Sequence, residues 1–245
     1  MAKSIVLIGL LCLFPFLVNG QRVLQRYPIY SGAPPDSVGT AELWFQMENN
    51  SADSSGNARD ATYSWNYTTT DAPQGSYWLT SNGSSSDFIP LDFTHNDTIT
   101  MFCRMRYDAT SVTNLAEWGF FAPDNSGWVW RLDAANDAID FDKKVSGTTY
   151  YSRSSNGVLD INTLFSLAVV VRGQHTRFFV DGSKVASPDS VTTSGAMSPS
   201  DSLTITSILY GEFDDFQFYN RAVPDDSILY LHNHVGYILK YLPAE

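Results

Sequence analysis

From Ala41 onward, apolar and polar residues alternate in short runs separated by turn-forming residues, which is the pattern of strands with one buried face. AELWFQME (41–48) puts Leu43, Phe45 and Met47 on one face and Trp44 and Gln46 on the other. TITMFCRMRY (98–107) alternates in the same way through Ile99, Met101, Cys103 and Met105. EWGFFA (117–122) and GWVWRL (127–132) flank Pro123-Asp124-Asn125-Ser126, a turn cluster that predicts a hairpin. LFSLAVVVRG (164–173) is continuously apolar at its centre, which predicts a strand covered on both faces. HTRFFVDG (175–182) ends in Asp181-Gly182, a pair suited to a tight hairpin turn. SLTITSIL (202–209) and EFDDFQFY (212–219) close the series. Helical spacing occurs only after Pro224, where Asp225 and Asp226 favour a helix start. Ile228, Leu229, Leu231, Val235, Ile238 and Leu239 recur there at helical intervals, with Gly236 working against the helix. The expected fold is all-β: a two-sheet jelly-roll β-sandwich with a short C-terminal helix, forming one domain over residues 41–245.

The residues before that domain read differently. Lys3, the apolar run Ile5 to Val18 and the small residues of Val18-Asn19-Gly20 have the layout of a secretory signal peptide over residues 1–20. The run is too short to span a bilayer, and no later apolar stretch reaches that length. Residues 21–40 form an N-terminal lead with breaker chemistry at Ser31-Gly32-Ala33-Pro34-Pro35. The expected location is secreted and extracellular, without a membrane span. Four N-x-S/T sequons, at Asn49, Asn66, Asn82 and Asn96, match that address and predict a glycosylated surface. With Cys12 in the signal, Cys103 is left without an intrachain partner. A buried thiol is expected there, the alternative being a bridge between chains, and nothing in the sequence sets an oligomeric state.

Charge and composition narrow the partners. Lys and Arg number 15 against 26 Asp and Glu, a formal net charge of −11. Such a surface lacks the clustered cations of a phosphate-backbone binder, so nucleic acid is excluded as a partner. At 43% hydrophobic, 14% aromatic and 17% charged, the chain carries ample material for a packed core and is not disordered in character.

Several segments, taken in order, resemble a known family. ELWFQMENNSADSSGNARDAT (42–62) is similar to the opening of laminin-G-like jelly rolls in the concanavalin A-like lectin/glucanase superfamily: an apolar strand, an acidic residue and an Asp-Ser-Ser-Gly-Asn turn. TITMFCRMRY resembles their next long core strand. LAVVVRGQHTRFFVDGSKVA (167–186) resembles their strand-turn-strand with an aromatic-x-Asp-Gly hairpin. GEFDDFQFYNRAVPDDSILYL (211–231) resembles their closing strand, Tyr-Asn-Arg-Ala turn and short helix. Together these cover about 42–231. The resemblance implies the fold; it does not single out a function, because such folds host many activities.

Three kinds of site follow for consideration. Calcium needs six to eight oxygen ligands. The turn Asp53 to Asn57 offers a carboxylate, an amide oxygen and backbone carbonyls, and Asp214-Asp215 offers two more carboxylates on opposite faces of a strand. Family members often join these two segments around a structural Ca²⁺, so the resemblance implies calcium as a cofactor with Asp53, Asn57 and Asp214 or Asp215 as ligands. The alternative is that Asp53 and Asn57 cap a turn while the Asp pair accepts backbone hydrogen bonds. Glycoside hydrolysis needs two placed carboxylates. The glucanase branch carries Glu-x-Asp-x-Glu on one strand, and Glu212-Phe213-Asp214 begins that pattern but meets Phe216 where the second Glu belongs. A non-catalytic protein is expected. His232 and His234 stand two apart on the predicted helix, too far around its axis to share a metal. Neither a zinc-protease nor a serine-hydrolase motif is present.

Ligand recognition would rest on aromatics. Trp128 and Trp130 share one strand face, Trp118 lies across the hairpin, and Tyr150 and Tyr151 follow in GTTYYS (147–152). Flat rings stack on sugar C–H faces while nearby Asp, Asn and Arg131 satisfy hydroxyls. The favoured reading is that the Trp128 and Trp130 pair fills a sandwich core, pointing inward if Arg131 on the same strand is solvated. The function expected from these features is binding of a carbohydrate or extracellular glycoprotein. The alternative is a structural protein of an extracellular matrix, shell or skeleton.

Overall fold

The structure, a computed structural model, describes residues 41–48, 52–61, 66–69, 78–82, 87–89, 97–107, 113–119, 126–187, 203–208 and 210–236. The signal-peptide and lead segments, Asn49, Asn96 and the turn at 123–125 lie outside those residues. In chain order the strands are β1 (Leu43–Phe45), β2 (Asn66–Thr68), β3 (Trp78–Asn82), β4 (Asp87–Ile89), β5 (Thr98–Tyr107), β6 (Thr113–Trp118) and β7 (Gly127–Asp133). There follow β8 (Ala138–Val145), β9 (Thr148–Arg153), β10 (Leu164–Arg172), β11 (His175–Val180), β12 (Ser183–Val185), β13 (Leu203–Ile208) and β14 (Tyr210–Tyr219), and the chain then enters helix α1 (Asp225–Asn233).

Two antiparallel sheets result. The larger runs β12-β11-β10-β5-β14-β3-β2, with β1 also paired to β14, and the smaller runs β4-β13-β6-β7-β8-β9. This is the jelly-roll sandwich that the alternating pattern predicts, and its core is built by that alternation. Ile99, Met101, Cys103, Met105 and Tyr107 of β5 face Trp128, Trp130 and Leu132 of β7 within one buried cluster. Trp128 stacks against Phe218 of the opposite sheet with ring centroids 6.2 Å apart and planes at 11°. The 117–132 hairpin forms as predicted, with Trp118 opposite Trp128, although its first strand starts earlier, at Thr113.

A second apolar cluster explains the continuous hydrophobicity of β10. Its inner residues Leu167, Val169 and Val171 join the main core. Its outer residues Ala168 and Val170 lie with Phe102, Phe179 and Tyr219 beneath Ile228 and Leu231 of α1. The helix is shorter than its apolar spacing predicts and ends at Asn233, before Gly236, which takes a φ of 73°. Arg104, on the outer side of β5, donates to the terminal carbonyls of Leu231 (2.6 Å) and His232 (3.0 Å) and so supplies the C-terminal cap. The Asp181-Gly182 turn sits directly below: a Cβ on Gly182 would stand 2.9 Å from Leu229 Cδ1. Glycine is therefore required there for close approach as well as for its φ of 72°.

Candidate functional site

The two acidic segments singled out in the sequence do meet, and they meet at Trp44. Asp53 accepts hydrogen bonds from the backbone N–H groups of Trp44 (3.0 Å), Ser55 (2.9 Å) and Arg59 (3.1 Å), and from the Ser55 hydroxyl (2.8 Å). Asp215 accepts from the Trp44 indole Nε1–H (2.8 Å), Gln217 Nε2 (2.9 Å) and Arg104 Nε (3.3 Å). A chain of contacts thus runs from the 53–57 turn through Trp44, Asp215 and Arg104 to the end of α1. Burial lifts the Asp215 carboxyl above its ordinary pKa, with Arg104, Gln217 and Trp44 pulling the other way.

This arrangement does not fit calcium. A cation needs oxygens free of competing donors, yet every oxygen just named faces an N–H or O–H. The Asn57 amide nitrogen is turned toward the carbonyls of Ala41 (3.3 Å) and Glu42 (3.0 Å), donating where a ligand would accept. Nor do Asp214 and Asp215 split cleanly between faces. β14 is bulged between Asp214 and Gln217, Asp215 adopts a φ of 51°, and both side chains are fully buried. Asp214 Oδ1 accepts the Asp215 N–H at 2.7 Å. Among the described residues, no group of three or more His, Cys, Asp and Glu could hold a metal ion.

The tryptophans are core residues, which corrects their reading as ligand platforms. Trp128 and Trp130 are fully buried and Trp118 is 3% exposed. Arg131, the residue after Trp130 on β7, points outward and keeps a quarter of its side chain in solvent, so Trp130 and, two residues back, Trp128 point in. Tyr150 is half-buried on the inner register of β9 opposite Lys143, whereas Tyr151, opposite Asp142, is 63% exposed. Cys103 lies in the core, where burial pushes its thiol pKa far up and leaves it unreactive. Of the sequons, Asn66 opens β2 and Asn82 closes β3.

Tyr151 belongs to a face where charged side chains concentrate, the outer side of β7, β8 and β9. Antiparallel register places Arg131 opposite Asp140 and Asp140 opposite Arg153. Arg153 grips Asp140 with two nitrogens (2.7 and 2.8 Å) and reaches Asp133 at 2.8 Å. Arg131 lies 3.4 Å from Asp140 and 2.6 Å from Asp142. Charges therefore alternate across three strands in the order Asp133, Arg153, Asp140, Arg131, Asp142. Burial, only partly offset by Arg131, raises the Asp142 pKa to about 6. Burial also acts upward on Asp133, but Asn136 and the Ala135 N–H outweigh it and leave that carboxyl below its ordinary value. Arg131, Asp140, Asp142, Ser152 and Arg153 line an open depression of about 260 Å³ with Tyr151 at its rim.

The sequence reading passed over Asp140, Asp142 and Arg153. The signal was present in AIDFDKKV (138–145), where Ile139 and Phe141 alternate with Asp140 and Asp142, but a lysine on the inner register at 143 masks the strand. Two arrangements that suggest catalysis do not assemble one. Ser166 Oγ (2.9 Å) and Asp181 Oδ1 (3.9 Å) both face Nδ1 of His232, whereas a relay needs them at opposite ring nitrogens. Glu212 is ion-paired to Arg106 on the far sheet.

Comparison with known proteins agrees with this architecture. The family model described as the concanavalin A-like lectin/glucanases superfamily, in its laminin G form, matches residues 85–229. No curated protein matches the chain. Among solved structures, the binding domain of botulinum neurotoxin serotype D is similar with a TM-score of 0.58 and 12% identity, over 79% of this chain and 51% of that one. The serotype G binding domain gives a TM-score of 0.59 and 15% identity, over 78% and 50%. The chain thus spans about half the length of these neurotoxin domains. Domain 4 of AbnA, an extracellular GH43 arabinanase from Geobacillus stearothermophilus solved in complex with arabinotriose, gives 0.59 and 13%, over 79% of this chain and 98% of that domain. At such identities the likeness is one of fold, but the family model spans more than half of the sequence, and the chain belongs to the concanavalin A-like lectin/glucanases superfamily.

Proposed function

We propose that the protein is a secreted, non-catalytic saccharide-binding jelly roll whose site is the outer face of β7–β9. The observation that carries this reading is the 63% exposed ring of Tyr151 at the rim of a depression lined by Arg131, Asp140, Asp142 and Arg153. An exposed aromatic of this size in a polar sheet face gives up solvent contact readily to a sugar's C–H face. The guanidinium groups of Arg131 and Arg153, a quarter and a third exposed, donate to ring and hydroxyl oxygens, while Asp140 and Asp142 lie buried beneath them and fix their positions. The ion pairs hold those groups in place before a ligand arrives, which reduces the ordering entropy that binding has to overcome. Support also comes from AbnA domain 4, which is matched over nearly its whole length and was solved with a trisaccharide. Export is supported by the N-terminal apolar run after Lys3 and by the four sequons.

The test is a glycan array with the glycosylated protein, followed by titration of each hit against wild type and Tyr151→Ala. At least tenfold weaker binding by the variant, with its thermal melt unchanged, is the expected result. A blank array sinks the saccharide reading and favours the structural matrix role. Treatment of the secreted protein with an N-glycosidase checks export and sequon use together: a mass loss is expected.

A further inference from the structure

We propose a second binding site, on the opposite sheet, that takes oxyanion groups of an acidic saccharide at the corner formed by Arg172, His175, Arg177 and Lys184. Strand register builds this corner. Arg172 of β10 stands directly opposite His175 of β11, Val170 opposite Arg177, and Phe179 opposite Lys184 of β12. Val170 and Phe179 lie in the cluster under α1, so the four basic residues share the outer face of the sheet, just beyond the start of that helix. Arg172, His175 and Lys184 are exposed.

Three features point to an anion. The first is charge. The chain as a whole carries −11, so its field repels anions, yet this corner gathers Arg172, Arg177 and Lys184 around the His175 ring. Among the described residues, the acid that touches the corner is Asp225, ion-paired to Arg177. Asp97 also borders the corner: its Oδ2 lies 3.6 Å from where a Cβ on Gly173 would stand, and Lys143 on the inner face feels its charge. The second feature is the pairing itself. The register pairs Arg172 with His175 and with Thr98, so among the described residues neither basic side chain stands opposite an acidic one. The third is shape. β12 pairs with β11 only from Val185 back to Ser183, after which the Ala186 carbonyl turns away to accept the Ser155 N–H. That departure opens a depression of about 500 Å³ against His175, Thr176 and Arg177, lined also by Lys184, Val185, Ala186 and Ser187 and, among the described residues, by no acidic side chain. A sulfate or carboxylate seated there would meet guanidinium, ammonium and hydroxyl donors together.

The experiment titrates the intact protein with three hexasaccharides at low and at raised salt: heparin-derived, hyaluronan and neutral maltohexaose. Anionic chains are expected to bind at least tenfold more tightly than the neutral one, and the preference should shrink with salt. Heparin alone binding would assign the site to sulfate; heparin and hyaluronan together would assign it to oxyanions generally. The exposed double variant Arg172→Ala, Lys184→Ala should lose at least tenfold of this affinity with an unchanged melting temperature. Equal binding of the neutral chain, or full anionic binding by the double variant, overturns the proposal. The two readings fail separately, because Tyr151→Ala leaves Arg172 and Lys184 in place and the double variant leaves Tyr151 in place.

Discussion

Replacing Lys143 by methionine should stabilise this protein, against the usual effect of a core substitution. Lys143 lies on the inner register of β8, opposite Trp128 on one side and Tyr150 on the other, and it is fully buried. Its Nζ has no hydrogen-bond partner. Leaving a buried polar group unsatisfied costs about 1–3 kcal/mol. Methionine keeps an unbranched stem of similar volume, so packing changes little. A gain of about 2 kcal/mol would raise the melting temperature by roughly 4–8 °C for a chain of this size. The pH dependence separates this cause from general repacking. Burial depresses the Lys143 pKa below its usual 10.5, with Asp97 acting weakly the other way. Below 10.5 the unfolded chain therefore takes up this proton more readily than the folded one, and acidification favours unfolding. The penalty is full below the folded pKa, shrinks as pH rises toward 10.5, and vanishes above it, where both states are neutral. Urea unfolding of wild type and Lys143→Met from pH 6 to 10.5 should show a stability gap that closes toward alkaline pH. A variant less stable at pH 7, or a gap independent of pH, would refute the reasoning.

Three further outcomes follow from the geometry. Gly211→Ala should destabilise the fold by at least about 3 kcal/mol in urea unfolding, since a Cβ there falls 2.1 Å from the Arg106 carbonyl oxygen and the residue holds a φ of 131°. Asp142→Asn should be neutral near pH 4 and increasingly stabilising up to pH 7. The native pKa of about 6 lies above the ordinary aspartate value of 3.8, so the wild type loses stability as pH rises between them; melting curves across that window check the sign. Exchanging calcium for EDTA should leave the melting temperature unchanged, because Asp53 and Asp215 already face donors; a large loss in EDTA would show that these oxygens reorganise around a cation.

Most of the fold was legible because burial writes itself into alternation. β5, the 117–132 hairpin, β10 and the Asp181-Gly182 turn could be read from apolar spacing and turn residues alone. β8 was not, because Lys143 interrupts its inner face, and with β8 went the two aspartates that share the depression with Tyr151. The Trp128 and Trp130 pair was legible only as a choice between core and platform, a choice that depends on which way Arg131 points. The helix end was obscured for a different reason. Val235 continues the apolar spacing, but α1 closes where Arg104, far away in sequence, reaches its terminal carbonyls, and no local pattern encodes such a partner.

The Asp-Asp run shows how a single motif supports two readings until its partners are known. Two carboxylates near a polar turn suggest a cation, and alternation assigns one of them to each face. The bulge at Asp215 changes the geometry, and Trp44 changes the chemistry: its main-chain N–H goes to Asp53 and its indole N–H to Asp215. Arg104 then links Asp215 to the helix terminus. The acids thereby join the first strand, the closing strand and the helix, a role that requires acceptors surrounded by donors. On the smaller sheet the same residue types, Asp140, Asp142 and their arginines, stand at an open depression with an exposed ring beside them. The polar groups around the Asp-Asp run are consumed by one another, whereas an exposed ring and two partly exposed guanidinium groups border the depression on β7–β9, and that contrast is why we propose recognition at Tyr151 and not at the Asp-Asp run.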